Sequence, residues 1–187
     1  GPAARGLRRI YRMAGVDPRQ VAIDYEKYRN DPVSDDVLHR VLDVARFAPS
    51  GGNRQGWRVV VVRNPDTKRA LQSLYEEPWN RYVREHYGTD ETMSDDRKRR
   101  VAEANRMAAS MHEVPVHLLV WLDLSVVAVT DADADRPSVV AGGSVFPFIQ
   151  NLQLAARNEG LGTRITTLLS HEEPRVRALV GAPEGWA

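Results

Sequence analysis

The sequence predicts an α+β sandwich, with helices and strands too irregularly interleaved for a doubly wound sheet. Three observations carry this: a β-branched run at 57–62 and an apolar one at 117–122, long stretches of helical periodicity around them, and no regular βαβ spacing. A chain of 187 residues, 42% hydrophobic, is long enough to bury one sizeable core, so 1–187 reads as a single domain.

The first element opens at Ser34, an N-cap followed by Asp35 and Asp36 at the positive end of the helix dipole. Val37, Leu38, Val41, Leu42 and Ala45 continue it at helical spacing. Pro49 stops it. A turn over 46–55 leads to Trp57, Arg58 and four valines, read as a buried central strand. Asn64 and Pro65 then take the N-cap and N1 positions of another helix, which carries Leu71 and Leu74 inward. Residues 75–87 are polar and aromatic, expected to be helical and partly exposed. Ser94 caps a long helix with Val101, Ala104, Met107, Ala108 and Met111 on one side, ended by Pro115. Residues 117–122 form the second strand and 131–137 a polar loop. Residues 138–158 are apolar on most sides, through Val145, Phe148, Ile149, Leu152, Leu154 and Ala155, which predicts a helix buried centrally or at a subunit interface. Pro147 within it predicts a kink or a late start. Gly160 is the expected residue past its C-terminus, the threonine-rich 162–169 reads as a strand, and 172–180 as a short helix closed by Gly181.

Bulk properties exclude several function classes. Against 25 acidic residues stand 26 basic ones, so no single-sign field holds nucleic acid or an anionic membrane surface. Cysteine is absent, which removes disulfides, thiolate metal sites and thiol nucleophiles together. The longest apolar stretches are far below bilayer-spanning length and the amino terminus lacks the apolar core of a signal peptide, so the expectation is a cytoplasmic protein.

The strongest local signal is Ala48-Pro49-Ser50-Gly51-Gly52-Asn53-Arg54-Gln55-Gly56-Trp57, joining a capped helix to a strand. Glycines let a backbone approach a flat ligand, and Ser50 and Asn53 can hydrogen-bond a polar ring edge. On chemistry alone it reads equally as a cradle for such a ligand or as an ordinary helix-to-strand turn.

This stretch resembles the A-P-S-x-x-N-x-Q-x-W loop of the FMN-dependent nitroreductase-like family, and it follows a P-V-S-D-D-V-L helix start similar to that family's. Further on, Gln150-Asn151-Leu152-Gln153-Leu154-Ala155-Ala156 through Gly160-Leu161-Gly162-Thr163 is similar to the family's Q-N-L-x-L-A-A-x-x-x-G-L-G-T segment. The resemblance covers residues 32–186 and implies a mixed, mostly antiparallel sheet flanked by helices, in an intertwined homodimer with the flavin at its interface. It further implies that Pro49, Ser50, Gly51 and Asn53 contact FMN, and that the backbone of Ile165, Thr166, Thr167 and Leu168 passes beside the isoalloxazine ring. The implied activity is a ping-pong oxidoreductase: NAD(P)H, a transient donor, reduces FMN, and a small acceptor such as a nitroaromatic or quinone is then reduced in the same cavity. No acid or base triad is needed, since the chemistry resides on the cofactor. Arg54 or Arg164 would screen the phosphate or an anionic substrate, and 75–87, with Trp79 and Tyr82, would wall the pocket.

Two departures from the pattern matter. Where the family carries R-S-x-R shortly before P-V, residues 23–28 hold Asp24 and Glu26 instead, and 1–31 is an atypical amino-terminal segment. Arg9 and Arg12, within Arg8-Arg9-Ile10-Tyr11-Arg12, are the substitute candidates for the phosphate contact. The family's C-terminal strand and arm are expected to be missing beyond Gly185-Trp186-Ala187. These departures support two alternatives, a flavin-binding or flavin-sequestering protein without turnover and a scaffold that has lost the cofactor.

Other candidates fall away. The aspartates at 131, 133 and 135 begin like a calcium loop, but Arg136 replaces the required glycine and Gly142 the bidentate glutamate, leaving a solvated acidic loop. The histidines at 39, 86, 112, 117 and 171 have no metal-ligand spacing. Gly142-Gly143-Ser144 lacks the lysine of a P-loop and is read as close packing within an apolar helix, and no G-x-G-x-x-G is present.

Overall fold

Five α-helices and two strands, joined by short 3-10 turns, make up residues 30–88 and 93–187, the part of the chain that the computed structural model describes. Arg9 and Arg12 lie outside these residues, as do Asp24 and Glu26. Helix α1 (Asp35–Ala45) starts where its cap dictates, with the Ser34 hydroxyl accepting from the Val37 amide at 3.3 Å. It buries Leu38, Val41 and Ala45. Strand β1 (Trp57–Val62) follows, then α2 (Pro65–Tyr87), whose Asn64 cap accepts from the Asp66 and Thr67 amides, both at 2.9 Å. Helix α3 (Asp95–Ala109), capped by Ser94, runs into a 3-10 turn at Met111–Glu113 before Pro115. Strand β2 (His117–Leu122), α4 (Val145–Asn158) and α5 (Glu173–Val180) complete the order.

The strands pair antiparallel, Val59 opposite Val120 and Val60 opposite Leu119. Alternation then sends side chains to two cores, because successive residues of a strand face opposite sides. Trp57, Val59, Leu118 and Val120 pack with α1 and α4 against Val41, Phe148 and Leu152. Val60, Val62, Leu119 and Trp121 pack with α2, α3 and α5 against Leu71, Tyr75, Trp79 and Val176. Apolar layers on both faces explain why the two strands read as nearly continuous hydrophobic runs.

Three expectations need correction. Residues 162–167 form no strand: they make no ladder, and the chain turns into a 3-10 helix at Leu168–Glu172. The edge beside β2 is instead taken by the last residues, where Leu122 and Ala187 exchange backbone hydrogen bonds at 2.7 and 3.0 Å and Asp123 bridges Trp186. The sheet among the described residues is therefore a two-stranded antiparallel pair rather than a mixed one. The stretch 75–87 is helical and partly exposed, as read, and forms the second half of α2, with Tyr75, Pro78 and Trp79 buried. Gly142 and Gly143 precede α4 rather than lying inside it. The helix starts late, which leaves Pro147 in its first turn, where a missing N–H costs nothing.

No helix among the described residues is long and apolar enough to cross a membrane.

Candidate functional site

The loop between α1 and β1 is bent into its shape by three residues in the left-handed region: Gly52 at φ 60°, Asn53 at 54° and Gln55 at 51°. Glycine adopts that region freely, but Asn53 and Gln55 do so at a cost that surrounding contacts must offset. Those contacts are present. The Ser50 hydroxyl accepts from the Gln55 amide at 3.0 Å, the Asn53 amide donates to the Ser50 carbonyl at 2.9 Å, and the Gln55 side-chain amide donates to the Asn53 carbonyl oxygen Oδ1 at 3.3 Å. Pro49, Ser50, Gly51 and Asn53 are thus held together in one rigid turn, and the Gly51 amide donates to the Ser144 hydroxyl at 3.2 Å, tying it to the start of α4.

What lies over the turn differs sharply between its glycines. A Cβ on Gly51 would meet nothing within 4 Å, so the loop presents an open backbone face there. A Cβ on Gly56 would stand 3.0 Å from Val126 Cγ2 and 3.3 Å from Val127 Cγ2, so Gly56 lets the 124–127 segment pack against the strand entry. Arg58 fixes the same entry, donating to the Gln55 and Trp57 carbonyls and, at 3.2 Å, to Asp123. Hydrogen bonds from Ser125, with desolvation opposing and Arg58 assisting, hold the Asp123 carboxyl below the usual range. Arg54, one of the two candidate screening cations, reaches the Val126 carbonyl at 3.4 Å and lies alongside Gly52.

The second segment, Ile165, Thr166, Thr167 and Leu168, lies on the opposite side of the sheet, with Leu168 packed on the Tyr75 core. Ile165, Thr166 and Thr167 are exposed, and the backbone amides of Ile165 and Thr166 donate to no group among the described residues. The Tyr75 phenol meets Thr166 Oγ1 at 3.1 Å, and the Leu168 amide also points at that oxygen, at 3.5 Å. Arg164 is exposed at the head of this segment. Among the described residues no hydrogen bond links the loop to this segment, and the buried residues beside them belong to different cores.

Sequence reasoning missed Tyr75 and Ser144. Nothing near Tyr75 distinguishes it from its exposed neighbours, while the glycine pair before Ser144 was a usable sign of a close backbone approach. Trp79 is buried and donates to Asn105 at 2.7 Å, so it supports the core rather than walling a pocket; Tyr82 is half-buried, stacked on His86 with ring centroids 4.3 Å apart.

The rejected candidates have clear structural uses. Asp131 accepts from the Ser138 hydroxyl at 2.6 Å, the Val139 amide at 3.0 Å and Arg136 at 2.7 Å, which organises the acidic loop and lowers its pKa through those bonds. Among the described residues no cluster of three or more His, Asp or Glu is placed to hold a metal ion.

On the loop, the open face at Gly51 with the hydroxyl and amide groups of Ser50 and Asn53, and on the other segment, the amides of Ile165 and Thr166, which have no acceptor among the described residues, each suit a ring that is apolar on its faces and rich in acceptors along its edge.

The sequence model of the Nitroreductase family matches residues 24–187. An NADH dehydrogenase of Thermus thermophilus is 54% identical over 46 residues, covering 25% of this chain and 22% of that protein. Iodotyrosine deiodinase 1 of Rattus norvegicus is 29% identical over 154 residues, covering 82% of this chain and 52% of its own. The chain thus spans about half the length of the rat protein. Among solved structures, oxidized iodotyrosine deiodinase bound to FMN and 3-iodo-L-tyrosine has the same fold, with a TM-score of 0.63 at 23% identity over 87% of this chain and 78% of that one.

Proposed function

Because the chain belongs to the nitroreductase family, we propose that it is an FMN-dependent oxidoreductase that takes reducing equivalents from NAD(P)H and delivers them to a small acceptor such as a nitroaromatic or quinone. The observation that carries this reading is the prebent loop with its open face: strained, fully braced backbone at Asn53 and Gln55 beside a Gly51 that none of the described residues covers. Strain of this kind, held by surrounding bonds, marks places where a protein organises itself for a ligand. Bound there, FMN supplies hydride exchange, and the protein supplies position and electrostatics.

Each residue then has a defined task. Gly51 admits the ring face, Ser50 and Asn53 hold its polar edge, and Pro49 fixes the chain direction out of α1. The amides of Ile165 and Thr166 offer donors to acceptor atoms that gain electron density, with Thr167 and Leu168 continuing that edge. Arg54 or Arg164 balances anionic charge, and Arg9 or Arg12 takes the phosphate. The separation of the two segments onto opposite cores supports a homodimer in which a second chain completes each site. Exposed Phe47, Phe146 and Leu154, at 74%, 54% and 60%, supply apolar surface for it. The fold relative that holds FMN beside 3-iodo-L-tyrosine supports an aromatic acceptor in this pocket as well.

The test is the visible spectrum of the purified protein before and after incubation with FMN and desalting, followed by anaerobic NADPH. Retained flavin that bleaches with NADPH and recovers with a quinone is the expected result. Retained flavin that no nicotinamide reduces would make this a flavin-binding protein without turnover, and a colourless protein would end the reading.

A further inference from the structure

We propose that Tyr75 is a positioning residue that forces the Thr166 hydroxyl to act as a hydrogen-bond donor along the edge where the flavin is proposed to lie; the inference rests on that proposed function. Tyr75 is buried, 1% exposed, and the oxygen of Thr166, 3.1 Å away, is its phenol's hydrogen-bond partner among the described residues. A buried phenol proton with no acceptor is costly, so the phenol donates and Thr166 Oγ1 accepts. The Leu168 amide, 3.5 Å from the same oxygen, occupies the second acceptor direction. A hydroxyl has one proton and two lone pairs. With both lone pairs engaged from the protein side, the remaining O–H of Thr166 points away from the core, on an exposed residue, next to the amides of Ile165 and Thr166, which have no acceptor among the described residues. Three donors therefore line one short stretch of chain.

The phenol is itself held firmly enough to impose this. Its ring stacks on Trp79 at 6.2 Å, and the Trp79 indole N–H donates to Asn105 at 2.7 Å, so α3 fixes the ring that fixes the phenol. Such an edge favours a bound group that becomes more electron-rich, as a flavin does on reduction.

Tyr75→Phe removes one oxygen and keeps the stacked ring, so folding survives. Thr166→Val and Thr166→Ser test the other end of the bond. Two measurements decide the matter. In hydrogen exchange on the protein without added flavin, the Leu168 amide, bonded to Thr166 Oγ1, exchanges faster in Tyr75→Phe and Thr166→Val and at the wild-type rate in Thr166→Ser. With FMN bound, Tyr75→Phe shifts the visible flavin bands and lowers kcat about 5- to 10-fold while the FMN dissociation constant stays within about twofold; the double variant is no worse than Thr166→Val alone. Unchanged exchange overturns the hydrogen bond. Changed exchange with unchanged flavin bands overturns the positioning role. A wild-type protein that takes up no flavin sinks the oxidoreductase reading instead, and the exchange comparison still decides whether Tyr75 orients Thr166.

Discussion

Gly51 and Gly56 bracket one loop but answer to different constraints, and alanine at each separates binding from folding. At Gly51 the added methyl meets none of the described residues within 4 Å, so stability should change by less than about 0.5 kcal/mol while FMN affinity falls about tenfold or more. At Gly56 the methyl presses on Val126 and Val127, which costs about 1–3 kcal/mol in urea unfolding and leaves affinity intact in the protein that remains folded. Equal flavin affinity in Gly51→Ala and wild type would remove that face from the site. His117 gives a second residue-scale prediction. Its Nε2 donates to the Met111 carbonyl at 2.7 Å, and burial, only partly offset by that bond and reinforced by Lys68 and His112, holds its pKa below the ordinary 6.5. The unfolded chain therefore binds this proton first as the pH falls, so stability drops below pH 6.5, by at most about 1.4 kcal/mol per pH unit. The lowered carboxyls of Asp123, Asp131 and Glu159 lose their contribution only below their ordinary values of 3.8 and 4.5, outside this window. His117→Gln should flatten the stability slope between pH 6.5 and 5 in urea titrations, and an unchanged slope would assign it elsewhere. At this scale the loop at 49–53 was legible because Gly, Ser and Asn act on their immediate neighbours. Tyr75 was not, since its partner lies 91 residues away and only the fold joins them.

Helix starts are contacts within three residues, which is why Ser34, Asn64 and Ser94 could be read directly as caps and do accept the expected amides. Asn64 does so twice, and its removal leaves two donors at the head of a 23-residue helix without that partner. Asn64→Ala should cost about 1 kcal/mol, seen as a lower urea midpoint with an unchanged slope. An unaffected midpoint would mean that tertiary packing alone sets where α2 begins. Strands are less local. Residues 162–167 have the composition of one, but a strand exists only where an edge is free, and the edge beside β2 is filled by residues 185–187. Continuity of α2 through Pro78 was equally hidden. Proline in a helix interior forfeits a hydrogen bond, and the burial of Tyr75, Pro78 and Trp79 on one core offsets that loss.

At the level of the whole molecule, two cores on either side of one strand pair divide the labour: one carries the loop after α1, the other the segment after α4. The family could be read from two motifs, but the placement of those motifs over separate cores could not, because it follows from strand alternation and register rather than from either motif. Leu154, exposed on α4, tests the surface proposed to join two chains. Leu154→Glu should fold normally and sediment as a monomer with little bound FMN; a coloured dimer would take α4 out of the interface. The split between cores also makes the sites open to complementation. One variant is damaged at Gly51 and another at Thr166, each colourless alone, and the two are unfolded, mixed and refolded together. Random pairing makes half of the dimers mixed, and each mixed dimer holds one site built from two sound halves, so about a quarter of the wild-type flavin returns. If both halves of a site belong to the same chain, nothing returns.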